Sequence, residues 1–369
     1  MSEDREPGAR PVGVPLWSPD ARPAPFPASP PLPGVPVPLE ADPHDLRADP
    51  HDLRADPHDL RADPHDLRAD PHDLRADPHE QLCDALRGVR AALLDMDGVV
   101  VLKGRPIEGA GQAIASLRAR GIPFRFLTNS SLWNRDSLAA RLSGAGIGVR
   151  ADEIVTALSA SAALAARRWR DRPIYVLAAP DGLREFDGQW LVGDDEAAQL
   201  GRDAPARVAA VVVGDAGPGF TYERLNAAFR LVRGGARLVA VHRNRWWLTP
   251  EGETIDSGAF VRALEYACGR RSLLVGKPSP AFFSEALASL WRAGGTVAGD
   301  PALDRRDILM VGDDLQSDIA AARRVGLRAA FVLSGKHGPR DLDLARRRGR
   351  QGLPDAVATS LAEIVAALG

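Results

Sequence analysis

The chain has 369 residues, 45% hydrophobic and 26% charged, with a formal net charge of −2. No run of 18 apolar residues is present to span a membrane, and the N-terminus lacks the basic start and apolar run of a signal peptide. Two cysteines, Cys83 and Cys268, can build neither a disulfide framework nor a zinc site, so a reduced cytoplasmic protein with no membrane partner is expected.

The average hides two unlike parts. The first 80 residues hold 18 of the 30 prolines and 6 of the 8 histidines, and set 8 arginines against 17 acidic residues, a net of −9. The remaining 289 residues carry +7, too little to imply nucleic-acid binding. Arginine outnumbers lysine 44 to 3, which singles out each lysine.

Residues 1–84 read as a disordered tail. Twelve prolines in residues 1–40 lock φ and remove backbone donors, which favours extended, polyproline-like chain. Residues 41–75 are five perfect copies of Ala-Asp-Pro-His-Asp-Leu-Arg, and a sixth begins at Ala76 and decays into Glu80-Gln81-Leu82. One leucine per heptad and a proline in every heptad rule out a coiled coil. Single helical turns could start at each Asp-Pro, with Asp as N-cap and Pro at the first helical position. The period-seven histidines have donors for a divalent metal, but perfect identity between copies points to tandem duplication rather than a tuned site.

From Val89 onward, short apolar runs alternate with Ala/Leu/Arg segments of helical period. Strands are expected at Ala91–Leu94, Phe124–Leu127, Ile154–Thr156, Leu273–Val275, Ile308–Val311 and Ala329–Leu333. Helices are expected over Gly109–Arg120, Asn134 to about Ala145, Ala160–Arg168, Pro280–Leu290 and Ile319–Val325. Between them lie further strands near Ile174–Leu177, Val208–Val213 and Leu238–Val241. This alternation argues for an α/β fold with a parallel sheet covered on both faces. Ligands in such sheets sit at the carboxyl ends of the strands.

Four strand ends carry suggestive chemistry. Asp95 and Asp97 follow the first strand, and Gly98 permits a sharp turn. Two carboxylates that close repel unless a cation or proton intervenes. Thr128 and Asn129 follow the next strand and could hydrogen-bond an anionic oxygen, although such residues also cap helices. Lys277, one of three lysines, precedes a proline-started helix and offers a compact positive charge. Asp313, Asp314 and Asp318 follow a fourth strand. So many carboxylates call for a cation, and oxygen-only donors suit Mg²⁺.

In this order the motifs resemble those of the haloacid dehalogenase superfamily, from about Val89 to Gly369. The segment between Thr128 and Lys277 resembles the large α/β (C2, subfamily IIA) cap found among nucleotide and p-nitrophenyl phosphatases. Asp256 to Phe283, and Gly214-Asp215-Ala216-Gly217 with Phe220 and Tyr222, are similar to the phospholysine phosphohistidine inorganic pyrophosphate phosphatase family. The resemblance implies a Rossmann-like, doubly wound core in two parts, 85–172 and 274–369, with an inserted cap at 173–273.

It further implies Asp95 as nucleophile and Asp97 as general acid and base. Mg²⁺ would be held by the Asp95 carboxylate, the Asp97 carbonyl and Asp313. Thr128 and the Asn129 backbone would bind phosphoryl oxygens beside Lys277, with Asp314 and Asp318 orienting metal-bound water or Lys277. The similar family can carry Ser at position 97, so Asp97 shifts weight toward phosphate esters and away from phosphoramidates and pyrophosphate. A small phosphorylated substrate and a homodimer are expected. Trp246 and Trp247 are expected to pack. A silent phosphate-sensing or protein-interaction module, or a phosphotransferase or mutase, would share the fold.

Overall fold

The computed structural model describes residues 77–203, 207–249, 252–293, 304–349 and 351–368. The proline-rich segment and the five perfect repeats, expected as a tail, lie outside the described residues. Helix α1 (Pro78–Leu86) leads into strand β1 (Ala91–Asp95). A small hairpin follows, β2 (Val101–Leu102) and β3 (Arg105–Pro106), then α2 (Ala110–Ala119), β4 (Phe124–Thr128), α3 (Arg135–Gly144), β5 (Ile154–Thr156) and α4 (Ala157–Arg168).

The next stretch contains β6 (Ile174–Leu177), α5 (Pro180–Leu183), β7 (Leu191–Val192), α6 (Asp194–Asp203), β8 (Ala210–Val213), α7 (Tyr222–Arg233) and β9 (Arg237–Ala240). A hairpin, β10 (Trp246–Thr249) and β11 (Gly252–Ile255), precedes α8 (Ser257–Cys268) and β12 (Leu273–Leu274). The chain finishes with α9 (Pro280–Ala293), β13 (Ile308–Gly312), a π-helical stretch Leu315–Ala320 continuing into α10 (Ala321–Arg324), β14 (Arg328–Val332), α11 (Pro339–Arg347), β15 (Ala356–Ala358) and α12 (Leu361–Ala367).

Two parallel sheets result, in the orders β15-β14-β13-β1-β4-β5 and β12-β9-β8-β6-β7. Strands β1, β4 and β13 are buried along their whole length, which is why Ala91–Leu94 and Ile308–Val311 read as unbroken apolar runs rather than alternating ones; in β4 the buried Arg125 interrupts the run and bonds Ser289. In the first sheet the chain steps from β1 to β4 and β5 on one side, and returns as β13, β14 and β15 on the other. The order therefore reverses between β1 and β13, which opens a crevice at their carboxyl ends. In β6 the side chains divide by the two-residue period. Ile174 and Val176 join the core that also contains Leu93, Leu127 and Met310, while Tyr175 and Leu177 face Leu231, Val261 and Leu264.

Three details differ from the sequence reading. Residues 78–84, assigned to the tail, are helical. Asp77 caps α1 by accepting the His79 N–H, Pro78 takes the first helical position, and Leu82 and Leu86 are buried with Ile364 and Leu361. The short strand before Lys277 belongs to the second sheet, where Leu273 is registered against Val239. Trp246 and Trp247 remain 44% and 39% exposed, because among the described residues β10 pairs with β11 alone. Among the described residues no helix is long and apolar enough to cross a membrane.

Candidate active site

Asp95 closes β1, opposite Leu127 of β4. The turn after it is tight: the Val100 and Val101 N–H groups both donate to the Met96 carbonyl, and the Gly98 N–H donates to the Val101 carbonyl. Gly98 adopts φ +79°, and a Cβ there would lie 2.0 Å from Asp313 Oδ2. Glycine thus serves both the turn and the close approach of Asp313. A Cβ on Gly335 would also come within 2.0 Å of the same oxygen. Asp313 follows β13, and its Oδ2 accepts the Lys336 N–H at 2.6 Å.

Lys277 enters from the other side, on the loop after β12. Its Nζ lies 2.6 Å from Asp95 Oδ1 and 2.8 Å from Asp318 Oδ1, and all three residues are buried. Asp95 Oδ1 also accepts the Met96 N–H at 2.7 Å. Both of these contacts fall on Oδ1 rather than Oδ2. Asn129 clasps the lysine's backbone: the Lys277 N–H donates to Asn129 Oδ1 (2.9 Å), and Asn129 Nδ2 donates to the Lys277 carbonyl (3.2 Å). Thr128 is buried, with its Oγ1 accepting the Ser130 N–H.

Burial and mutual repulsion set the charges. Burial pushes Asp95 up to about 6, against the pull of Lys277. Burial and Asp318 push Asp313 up to about 6, and burial with Asp95 takes Asp318 to about 8. For Lys277 burial opposes the charge, but Asp318 and Asp95 outweigh it and hold the ammonium above the ordinary lysine value. Asp97 is exposed in the turn, yet desolvation by the surrounding protein still raises its carboxyl. One ammonium cannot neutralise three buried carboxylates. Oxygens of Asp95, Asp313 and Asp318 lie within 4.8 Å of one another, and an all-oxygen set with surplus negative charge fits a hard divalent cation.

The structure thus brings Asp95, Lys277, Asp313 and Asp318 together. It places Asp97 at the edge of this group and Thr128 and Asn129 at the next strand end. Asp314 points toward Lys336 rather than Lys277. Its Oδ2 pairs with Lys336 Nζ at 2.7 Å, and its Oδ1 accepts the Gln316 and Ser317 N–H groups, so it caps the π-helical stretch rather than touching Lys277. Burial alone would raise Asp314, but Lys336 and the backbone donors hold it well below the usual range. Sequence reasoning missed the loop after β14. Besides Lys336, it supplies Ser334 Oγ, which donates to the Gly98 carbonyl, and His337 Nδ1, which accepts the Leu315 N–H. The signal was available, since Lys336 is one of three lysines and follows a strand.

Comparison with known proteins identifies relatives of the chain. Residues 92–189 match the haloacid dehalogenase-like hydrolase family, and residues 274–364 match a HAD-hydrolase-like family. Phospholysine phosphohistidine inorganic pyrophosphate phosphatase of Bos taurus is 34% identical over 265 residues, covering 70% of this chain and 88% of the relative. The structure of p-nitrophenyl phosphatase from Archaeoglobus fulgidus superposes with a TM-score of 0.64 at 29% identity, over 76% of this chain and 99% of the other. Glycerol phosphate phosphatase from Mycobacterium tuberculosis in complex with magnesium gives 0.62 at 27% identity, over 76% and 77%. With two family matches that together span both parts of the first sheet, a relative 34% identical over most of its length, and buried carboxylates meeting a lysine where β1 and β13 part, the chain belongs to the haloacid dehalogenase-like hydrolase family.

Proposed function

We propose that the protein is a Mg²⁺-dependent phosphatase that hydrolyses a small phosphate ester through a phosphate transferred to Asp95. The observation that carries this reading is the Lys277 ammonium, 2.6 Å from Asp95 and 2.8 Å from Asp318, with Asp313 beside them. The relatives named as phosphatases, and the magnesium in one of them, support it.

Asp95 and Asp313, with the Asp97 carbonyl, would hold the ion, and Asp318 lies within reach beside them. A bound ion would supply positive charge that offsets carboxylate repulsion and draws electron density from the phosphate. The remaining chemistry belongs to the chain. Asp95 Oδ1 is pinned by the Met96 N–H and Lys277, so Oδ2 attacks phosphorus as the bond to the leaving oxygen breaks. Asp97, its carboxyl kept protonated more readily by desolvation, gives its proton to that oxygen. It then takes a proton from water as the water oxygen bonds to phosphorus, the acyl-phosphate bond breaks, and inorganic phosphate leaves. Thr128, the Asn129 backbone and Lys277 bind the phosphoryl oxygens. The second sheet acts as a cap that excludes water.

The test is hydrolysis of p-nitrophenyl phosphate and a panel of phosphorylated metabolites with and without Mg²⁺. Turnover is expected with the ion and lost in Asp95→Asn. A wild-type protein silent across the panel defeats the reading.

A further inference from the structure

One buried histidine lies outside this chemistry. His242 follows β9 and is 2% exposed. Its Nε2 lies 3.2 Å from Ser131 Oγ, 3.1 Å from Ser257 Oγ and 3.7 Å from Asp256 Oδ1. On its other side, Nδ1 accepts the Asn244 N–H at 3.4 Å. The neutral ring therefore keeps its proton on Nε2. Both hydroxyls and the carboxylate meet the same nitrogen, and the two serines are buried. This is not the geometry of an activated nucleophile, in which base and orienting acid use opposite nitrogens.

Ser131 is the joint. It lies on the loop after β4, two residues beyond Asn129. Besides His242, its Oγ accepts the N–H of Asp215, from the end of β8, at 2.9 Å. Val241, adjacent to His242, accepts the Gly276 N–H through its carbonyl at 2.7 Å. The end of β9 thus holds both halves of the Asn129–Lys277 clasp: one through His242 and Ser131, the other through Val241 and Gly276. The fit has no slack. A Cβ on Gly276 would stand 2.6 Å from both Asn129 Oδ1 and the Val241 carbonyl.

We propose that His242 is a positioning residue: by holding Ser131 against the end of β9, it fixes the phosphate-binding loop relative to Lys277, and so sets the lysine against Asp95. The kinetic half of this proposal rests on the phosphatase reading, while the structural half does not. Misplacing reacting groups by about 1 Å can cost on the order of 10²-fold in rate, so a partial loosening is expected to cost about tenfold.

Ser257 provides the control, because it meets the same nitrogen from α8 and has no link to the loop. Ser131→Ala, Ser257→Ala and His242→Gln are compared with wild type by turnover of p-nitrophenyl phosphate, thermal unfolding, and hydrogen exchange of the Asn129, Ser131 and Lys277 amides. Ser131→Ala is expected to lower kcat about tenfold with KM within about threefold, and to speed exchange at those amides about tenfold. Ser257→Ala is expected to stay within about twofold on both readouts. His242→Gln, whose amide can replace the Nε2 donor, is expected to keep kcat within about threefold. Equal effects of the two serine changes, or no effect of Ser131→Ala on exchange, would overturn the proposal. If wild-type protein shows no turnover, the phosphatase reading fails and the exchange comparison alone decides whether His242 positions the loop.

Discussion

Lys277→Met isolates the charge of the site from its shape. The substitution keeps a buried apolar chain and removes the ammonium that lies 2.6 and 2.8 Å from Asp95 and Asp318. Breaking a buried ion pair by deleting one partner costs about 3–5 kcal/mol, because the orphaned charge stays buried. Here the orphans can escape by taking up protons. Even with Lys277 present, their folded values of about 6 and about 8 stand above the ordinary 3.8, and losing the lysine raises them further. A carboxyl whose folded value is raised destabilises the fold when ionised and stops doing so as pH falls toward its unfolded value. Lys277, also raised, stays charged and stabilising throughout the range below the unfolded lysine value of 10.5. The gap between wild type and variant must therefore be widest above pH 8 and close toward pH 4.

Thermal unfolding in EDTA at pH 8.5 should show a drop of about 6–20 °C, at roughly 2–4 °C per kcal/mol for a folded part of this size. At pH 5 the gap should shrink to less than half. Turnover with Mg²⁺ should fall about 10²-fold or more. Magnesium affinity should not fall, since the lost charge has the same sign as the ion. An equal gap at both pH values, or weakened magnesium binding, would refute the idea that Lys277 serves as counter-charge.

Other expectations follow from single contacts. Gly98→Ala forces a side chain into φ +79°, at about 1–2 kcal/mol, and drives its Cβ against Asp313; magnesium affinity measured by calorimetry should drop at least about tenfold. Glu265 accepts from Ser272 N–H and Oγ and pairs with Arg243 and Arg262; burial opposes the charge, but these partners hold its carboxyl at about 2 against 4.5. That stability is present above pH 4.5 and is lost as pH falls through about 2. Glu265→Gln should therefore cost about 2–3 kcal/mol at pH 7, and urea melts should show the difference narrowing by pH 3. Removing residues 1–76 should leave the melting temperature and turnover unchanged. Removing residues 1–86 strips Leu82 and Leu86 from the core and should cost about 3–6 kcal/mol in the same melts.

The fold class was legible because buried parallel strands announce themselves. Ala91–Leu94 and Ile308–Val311 are apolar at every position, and the polar residue ending each run falls at a strand's carboxyl end. What sequence could not show was sheet membership. Leu273-Leu274 looks like any short core strand, and only its pairing with β9 reveals that Lys277 departs from the second sheet. Helix α1 was hidden by its likeness to the repeats: Asp77-Pro78-His79 is a further copy of the motif, and the apolar spacing of Leu82 and Leu86 begins only where the copy decays. Asn129 was read as a group that binds an anionic oxygen, but its amide clasps a partner 148 residues away, which no local pattern reveals.

The two junctions between the sheets are unequal. The entry, from α4 into β6, carries none of the groups assigned to the chemistry. The exit, from β12 through Gly276 to Lys277, delivers the ammonium that stands against Asp95. Exchanging the insert between relatives is therefore free at one seam and constrained at the other. A chimera cut after Lys277 inherits the donor's lysine placement along with its cap. One cut before Gly276 must rebuild the contact with Val241, or it will place a native lysine on a foreign strand.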